Sequence, residues 1–130
     1  MSGTRLFEEF DTGEFAIPQG GKRFADLAWN NHPAFDGVAL KHLLEAKDTG
    51  GMFSYHLVRI APGRAIGDHI HDPQTETHEV VAGHGLCRND GREIPYRPGV
   101  ISLFQPRTRH EVTAGEDGLL LFAKFMPPLC

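Results

Sequence analysis

Residues Gly63 to Gly83 read G-R-A-I-G-D-H-I-H-D-P-Q-T-E-T-H-E-V-V-A-G, and this stretch decides how the rest of the chain is understood. It places His69 and His71 two apart and Glu76 five further on. In a β-strand, residues two apart point to the same face and lie about 6–7 Å from each other, so two imidazoles in that register can converge on one ion. Asp72-Pro73-Gln74 is turn chemistry. Glu76 therefore opens the next strand and can come back to the same point. Downstream of Pro106-Arg107-Thr108-Arg109, His110 is the best remaining fourth ligand. Three neutral imidazoles and a carboxylate suit a divalent transition metal ion, with Fe, Mn, Ni or Zn all compatible, and leave positions open on an octahedral centre.

Gly63, His69, His71, Glu76 and Gly83 match the spacing G-x5-H-x-H-x4-E-x6-G, which resembles the first motif of the cupin superfamily. The second cupin motif, G-x5-P-x-G-x2-H-x3-N, is matched at Gly99 and His110. Its proline falls one place late at Pro106, its inner glycine is missing, and Ala114 stands where the asparagine would be. The likeness spans about residues 36 to 126, with the short interval between motifs seen in small single-domain bacterial cupins. It implies a double-stranded β-helix, the jelly-roll barrel, with a metal held inside by His69, His71, Glu76 and His110. A single histidine is ordinarily a hydrogen-bonded structural or surface residue, and eight occur here. The weight rests on the joint pattern.

Length fits one domain, divided into an arm at 1–35 packed on the barrel and a cupin domain at 36–130. A net charge of −4, with both signs interspersed, offers no basic stripe for nucleic acid. No apolar run is long enough for a bilayer, and Met1 to Phe10 lacks the order of a secretory signal, so a cytoplasmic protein is expected. Cys87 and Cys130 form no disulfide framework and have no metal-site spacing.

From Val38 onward the pattern is short apolar runs broken by turns. Val38–Ala46 and Met52–Ala61 read as a hairpin across Lys47–Gly51, and Leu86–Arg88 as pairing with Arg92–Tyr96 across Asn89-Asp90-Gly91. Val100–Phe104, His110–Thr113 and Leu119–Met126 are further strands. With no convincing helix, the fold class is all-β, an antiparallel sandwich or barrel. Residues 1–16 carry Phe7, Phe10 and Phe15 without helical periodicity. Phe7, Phe10 and Phe15 are expected as covering residues, packed across a neighbouring sheet or a second subunit. With Trp29, this surplus of aromatics in an arm that can complete a neighbour's sheet leads to an expected homodimer.

Glu76 and His78 share a strand face, so His78 either rivals Glu76 as ligand or sits above the ion as a proton donor. Glu76 is preferred because it holds the motif spacing and offsets part of the ion's charge. His56 and Gln74 join His78 as catalytic or substrate-binding candidates, and His42, Tyr55, Arg59, Tyr96 and Arg109 are further polar groups able to orient a ligand. These features point to a small metalloenzyme acting on a small polar molecule, with dioxygenase, isomerase, decarboxylase and lyase chemistry all open. A non-catalytic binding or sensor module is the alternative, and a purely structural metal a third.

Overall fold

The computed structural model describes residues 3–130. Two strands dominate it, β7 (Thr75–Asn89) and β10 (His110–Met126), which run antiparallel along almost their whole lengths, from Thr75↔Met126 to Asn89↔His110. The runs expected as separate strands at His110–Thr113 and Leu119–Met126 are thus one strand. It bends sharply between Ala114 and Leu119, where the register to β7 shifts.

That bend explains the last glycine of the first motif. Gly83 (φ +84°) faces Gly118 (φ +75°), and a Cβ on Gly83 would lie 2.0 Å from the Gly118 carbonyl oxygen. Backbones can cross so closely only without side chains. Beyond the crossing each long strand changes partner. The C-terminal half of β10 pairs with β5 (Ser54–Ile60), and its N-terminal half with β6 (Ala65–His69). The first half of β7 pairs with β9 (Ile101–Phe104), its second half with β8 (Arg92–Tyr96). One hydrogen-bonded system, ordered β3 (Asn30–Asn31), β4 (Val38–Leu44), β5, β10, β7 and β8, thereby rolls into a barrel.

The expected first hairpin is β4 (Val38–Leu44) with β5, joined through a one-turn helix α2 (Ala46–Thr49) and pairing His42 with His56. Alternate residues face inward as the period of two requires. Val58, Ile60, Val80, Leu119, Leu121 and Ala123 fill the interior with Tyr96 and Phe104.

The arm departs from expectation. Gly3–Asp11 is a helix, α1, and β1 (Glu14–Ile17) and β2 (Gly20–Arg23) form a separate hairpin. A 3-10 turn at Phe24–Asp26 leads to β3 (Asn30–Asn31), which joins the main sheet beside β4. Leu6, Phe7 and Phe10 share one face of α1, but a nine-residue helix is too short to be stable alone. It exists because it is packed on β7: a Cβ at Gly3 would lie 1.9 Å from the Val81 carbonyl oxygen. Phe7 stacks between Trp29 and Phe122, and with Phe24, Leu43, Leu57 and Val81 builds a second core on the outer face of the sheet. The arm's aromatics are covering residues, and the sheet they cover is that of their own chain. Among the described residues no helix is long and apolar enough to cross a membrane.

Candidate metal centre

Register brings the first-motif residues to His110. His110 opens β10 directly opposite His69, the last residue of β6, and the two rings lie 4.2 Å apart. His71 was expected on the same strand as His69 but sits in the loop beyond it, where the Arg107 N–H donates to the His71 carbonyl at 2.7 Å. Turn chemistry at Asp72-Pro73 ends the strand early, and the loop returns the ring to 4.8 Å from that of His69. Glu76, on β7, is 5 % exposed. His69, His71, Glu76 and His110 each offer a ligand atom, all within 4.8 Å of one another. The set fits a metal site.

The hydrogen bonds around the rings say which nitrogens are free. His69 Nδ1 lies 2.6 Å from the Gly67 carbonyl and His110 Nδ1 lies 2.9 Å from the Thr108 carbonyl. A carbonyl only accepts, so both Nδ1 atoms carry the proton and, in the neutral rings, both Nε2 atoms present a lone pair. His69 Nε2 is 3.1 Å from His71 Nε2, and His110 Nε2 is 3.1 Å from Glu76 Oε1. In the second pair a lone pair faces a carboxylate, and a proton or a cation must lie between them. Carbonyls locking the outer nitrogens of inward-facing rings are the usual outer partners of metal-binding histidines.

Glu76 is held by a second group. His78 Nε2 is 2.9 Å from Glu76 Oε2, and His78 Nδ1 is 3.0 Å from the Tyr96 hydroxyl. Burial alone would raise the Glu76 carboxyl pKa. The positive charge of His78 and the hydrogen bonds of His110 and His78, which these rings supply when protonated, outweigh it in the metal-free site, so the carboxyl falls well below its ordinary range. Burial lowers His69 to about 4, with the other imidazoles adding to the effect, and also lowers His71. Burial pushes the Tyr96 hydroxyl far up, so it remains a donor.

The four residues are not all equally placed toward open space. A cavity of about 260 Å³ is lined by His69, His71, Glu76 and His78, by Leu40, Val58, Ile66 and Phe125, and at one end by Asn30, Asn31 and His32. Among the described residues no lysine or arginine lines it.

A cupin domain model matches residues 56–123, more than half the chain. The chain is a cupin. No curated protein matches its sequence significantly. Solved structures do match this cupin in fold. A predicted oxalate decarboxylase from Thermotoga maritima shares 20 % identity over 81 % of this chain and 96 % of its own, with a TM-score of 0.72. An RmlC-like cupin from Shewanella frigidimarina has 16 % identity over 87 % of this chain and 89 % of its own, with a TM-score of 0.68. A sugar phosphate isomerase of the cupin superfamily from Silicibacter pomeroyi has 22 % identity, 78 % and 72 % coverage, and a TM-score of 0.67. At these identities the likeness is one of fold.

Other residues singled out in the sequence fall elsewhere. His56 is fully buried behind the cavity wall, its Nδ1 2.7 Å from that of His42, which does line the cavity. Gln74 stands outside the cavity and donates to the Pro128 carbonyl at 3.4 Å. Arg59 is exposed over the Trp29 ring. Asn30, Asn31 and His32 belong to no motif in the sequence. They reach the cavity because β3 pairs with β4, a contact with no local signature.

Proposed function

We propose that this cupin is a small metalloenzyme in which His69, His71, Glu76 and His110 hold one divalent transition metal ion beside a cavity for a small polar organic molecule. The observation that carries this is the lone pair of His110 Nε2 facing Glu76 Oε1 at 3.1 Å, beside two further imidazoles. One proton would reconcile only that pair, whereas one cation satisfies all four donors together. When bound, the ion supplies Lewis-acid or redox chemistry at coordination positions the protein leaves open.

The remaining residues position and select. His78 donates to Oε2 of Glu76 and so leaves Oε1 for the ion, and Tyr96 donates to His78 Nδ1 and fixes that tautomer. In this reading His78 serves Glu76 instead of replacing it as a ligand. At about 30 Å³ per water, the cavity holds roughly nine water volumes, which suits a ligand of about ten non-hydrogen atoms or fewer. With no lysine or arginine on its walls among the described residues, an anionic ligand would be held chiefly through the ion and oriented by Asn30 and Asn31. Dioxygenation, isomerisation, decarboxylation and elimination all fit this arrangement. A cytoplasmic setting belongs to this proposal, and cell fractionation tests it. The homodimer now rests on the exposed Ile101 and Leu103 of β9, and sedimentation of the purified chain tests it.

One observation favours a binding module without turnover. The groups able to move a proton are already paired with one another, His78 with Glu76 and Tyr96, and His42 with His56. Elemental analysis of His69→Ala/His71→Ala in a Cys130→Ser background tests the metal reading: loss of the stoichiometric ion with the fold retained supports it, and full retention of the ion sinks it. Metal-loaded protein is then incubated with small carboxylates and sugar phosphates and followed by NMR. Product formation decides for an enzyme, and ligand broadening without product for a binder.

A further inference from the structure

A second group of metal-binding side chains, separate from the His69 cluster, meets at the wall of the same cavity, which His42 lines. His42 on β4, His56 on β5 and Cys130 each offer a ligand atom, and these atoms all lie within 4.8 Å of one another. The thiol is delivered there by a segment pinned across the first hairpin. The Ala46 N–H donates to the Cys130 carbonyl at 2.7 Å, the Leu129 N–H to Ser54 Oγ at 2.9 Å, and the Gln74 amide to the Pro128 carbonyl at 3.4 Å. Nothing in the residue spacing announces this, since 42, 56 and 130 meet only through hairpin register and the return of the tail.

We propose that His42, His56 and Cys130 form a second, thiolate-containing site for a borderline ion such as zinc(II), distinct from the all-nitrogen-and-oxygen site at His69. The donor set differs in kind from the first: two imidazoles with a thiolate select zinc-like ions, where three imidazoles with a carboxylate accept harder ones. Three protein donors leave the fourth tetrahedral position open. The neighbouring groups already suit the bound form. Ser54 Oγ, 2.7 Å from His56 Nε2, can accept the Nε2 proton alongside the Leu129 N–H, which leaves His56 Nδ1 bare and turned toward His42. The two Nδ1 atoms share a hydrogen bond at 2.7 Å that His42 donates, and binding moves this proton to His42 Nε2, which frees the second Nδ1. On a tetrahedral ion with bonds near 2.0 Å they would stand about 3.3 Å apart, a small movement. Burial, and then the Glu45 carboxylate beside it, hold the Cys130 thiol above its ordinary pKa, so the ion itself must displace the thiol proton, which passes by way of Glu45 to solvent. Burial holds both imidazoles neutral and ready to bind, lowering His56 to about 3 with His42 adding to the effect.

Tag-free, metal-stripped protein is titrated with cobalt(II) under anaerobic conditions and followed by thiolate-to-cobalt charge-transfer absorption in the near ultraviolet. The wild type should show the band and two cobalt equivalents. His69→Ala/His71→Ala should keep the band with one equivalent. Cys130→Ser, a change at an exposed position, should lose the band and keep one equivalent. No band in the wild type, a band that survives Cys130→Ser, or a band lost in His69→Ala/His71→Ala each overturns the proposal. The equivalent retained by Cys130→Ser separately reports on the His69 site, so the two readings fail independently.

Discussion

His78 Nε2 lies 2.9 Å from Glu76 Oε2, while Oε1 of the same carboxylate lies 3.1 Å from His110 Nε2. The two oxygens thus have separate tasks, one tied to an orienting imidazole and one turned to the cluster. Residues that fix a ligand's orientation typically contribute 10- to 100-fold to metal affinity. His78→Ala should therefore weaken manganese(II) binding by about that factor while full stoichiometry returns at saturation. Glu76→Ala should lose more, because the ligand itself is gone. Chelator-competition titration separates the two, and equal losses would show that His78 is a ligand.

Acid should destabilise the metal-free protein. His56 titrates near 3 in the folded chain, chiefly because of burial and secondly because of His42, against 6.5 when unfolded. Between those values the unfolded chain binds the extra proton, so stability is full above about pH 6.5 and falls as pH drops, by up to about 1.4 kcal/mol per unit for this group. His69, lowered to about 4 by burial, acts in the same direction. Denaturant unfolding from pH 7.5 to 5 checks this, and a flat profile would contradict neutral burial.

Phe7 should behave as core although it sits in the arm. It is 4 % exposed and its ring lies 6.2 Å from Phe122, whereas Phe10 on the same helix is 40 % exposed. Phe7→Ala should cost about 3–5 kcal/mol and Phe10→Ala markedly less. Urea midpoints of the two variants measure the contrast; a negligible cost for Phe7→Ala would mean that α1 does not cover the sheet.

Manganese(II) should stabilise the Cys130→Ser protein by linkage, since it binds the folded cluster alone. At a free concentration 100 times the dissociation constant the gain is about 2.7 kcal/mol. The same addition to a chain that also carries His69→Ala and His71→Ala should give almost none. Thermal unfolding at fixed protein concentration reads the difference.

Local order determined a good part of this protein. Motif spacing and a turn marked out His69, His71 and Glu76, although the turn and not a strand period brings His71 to its place, and Asp90-Gly91 marked the β7–β8 hairpin, because strand and turn preferences act over a few residues. The pairing of His78 with Glu76 on one face was equally legible for the same reason. Tertiary structure decided the rest. His110 meets His69 through the register of β10 with β6, Asn30 reaches the cavity through β3, and Cys130 reaches His42 and His56 only after the tail folds back. Helix α1 belongs with these: too short to hold itself, it forms because Phe7 finds Trp29 and Phe122 across the sheet. Such contacts depend on residues far apart in the chain and held together by burial, and spacing carries no record of them.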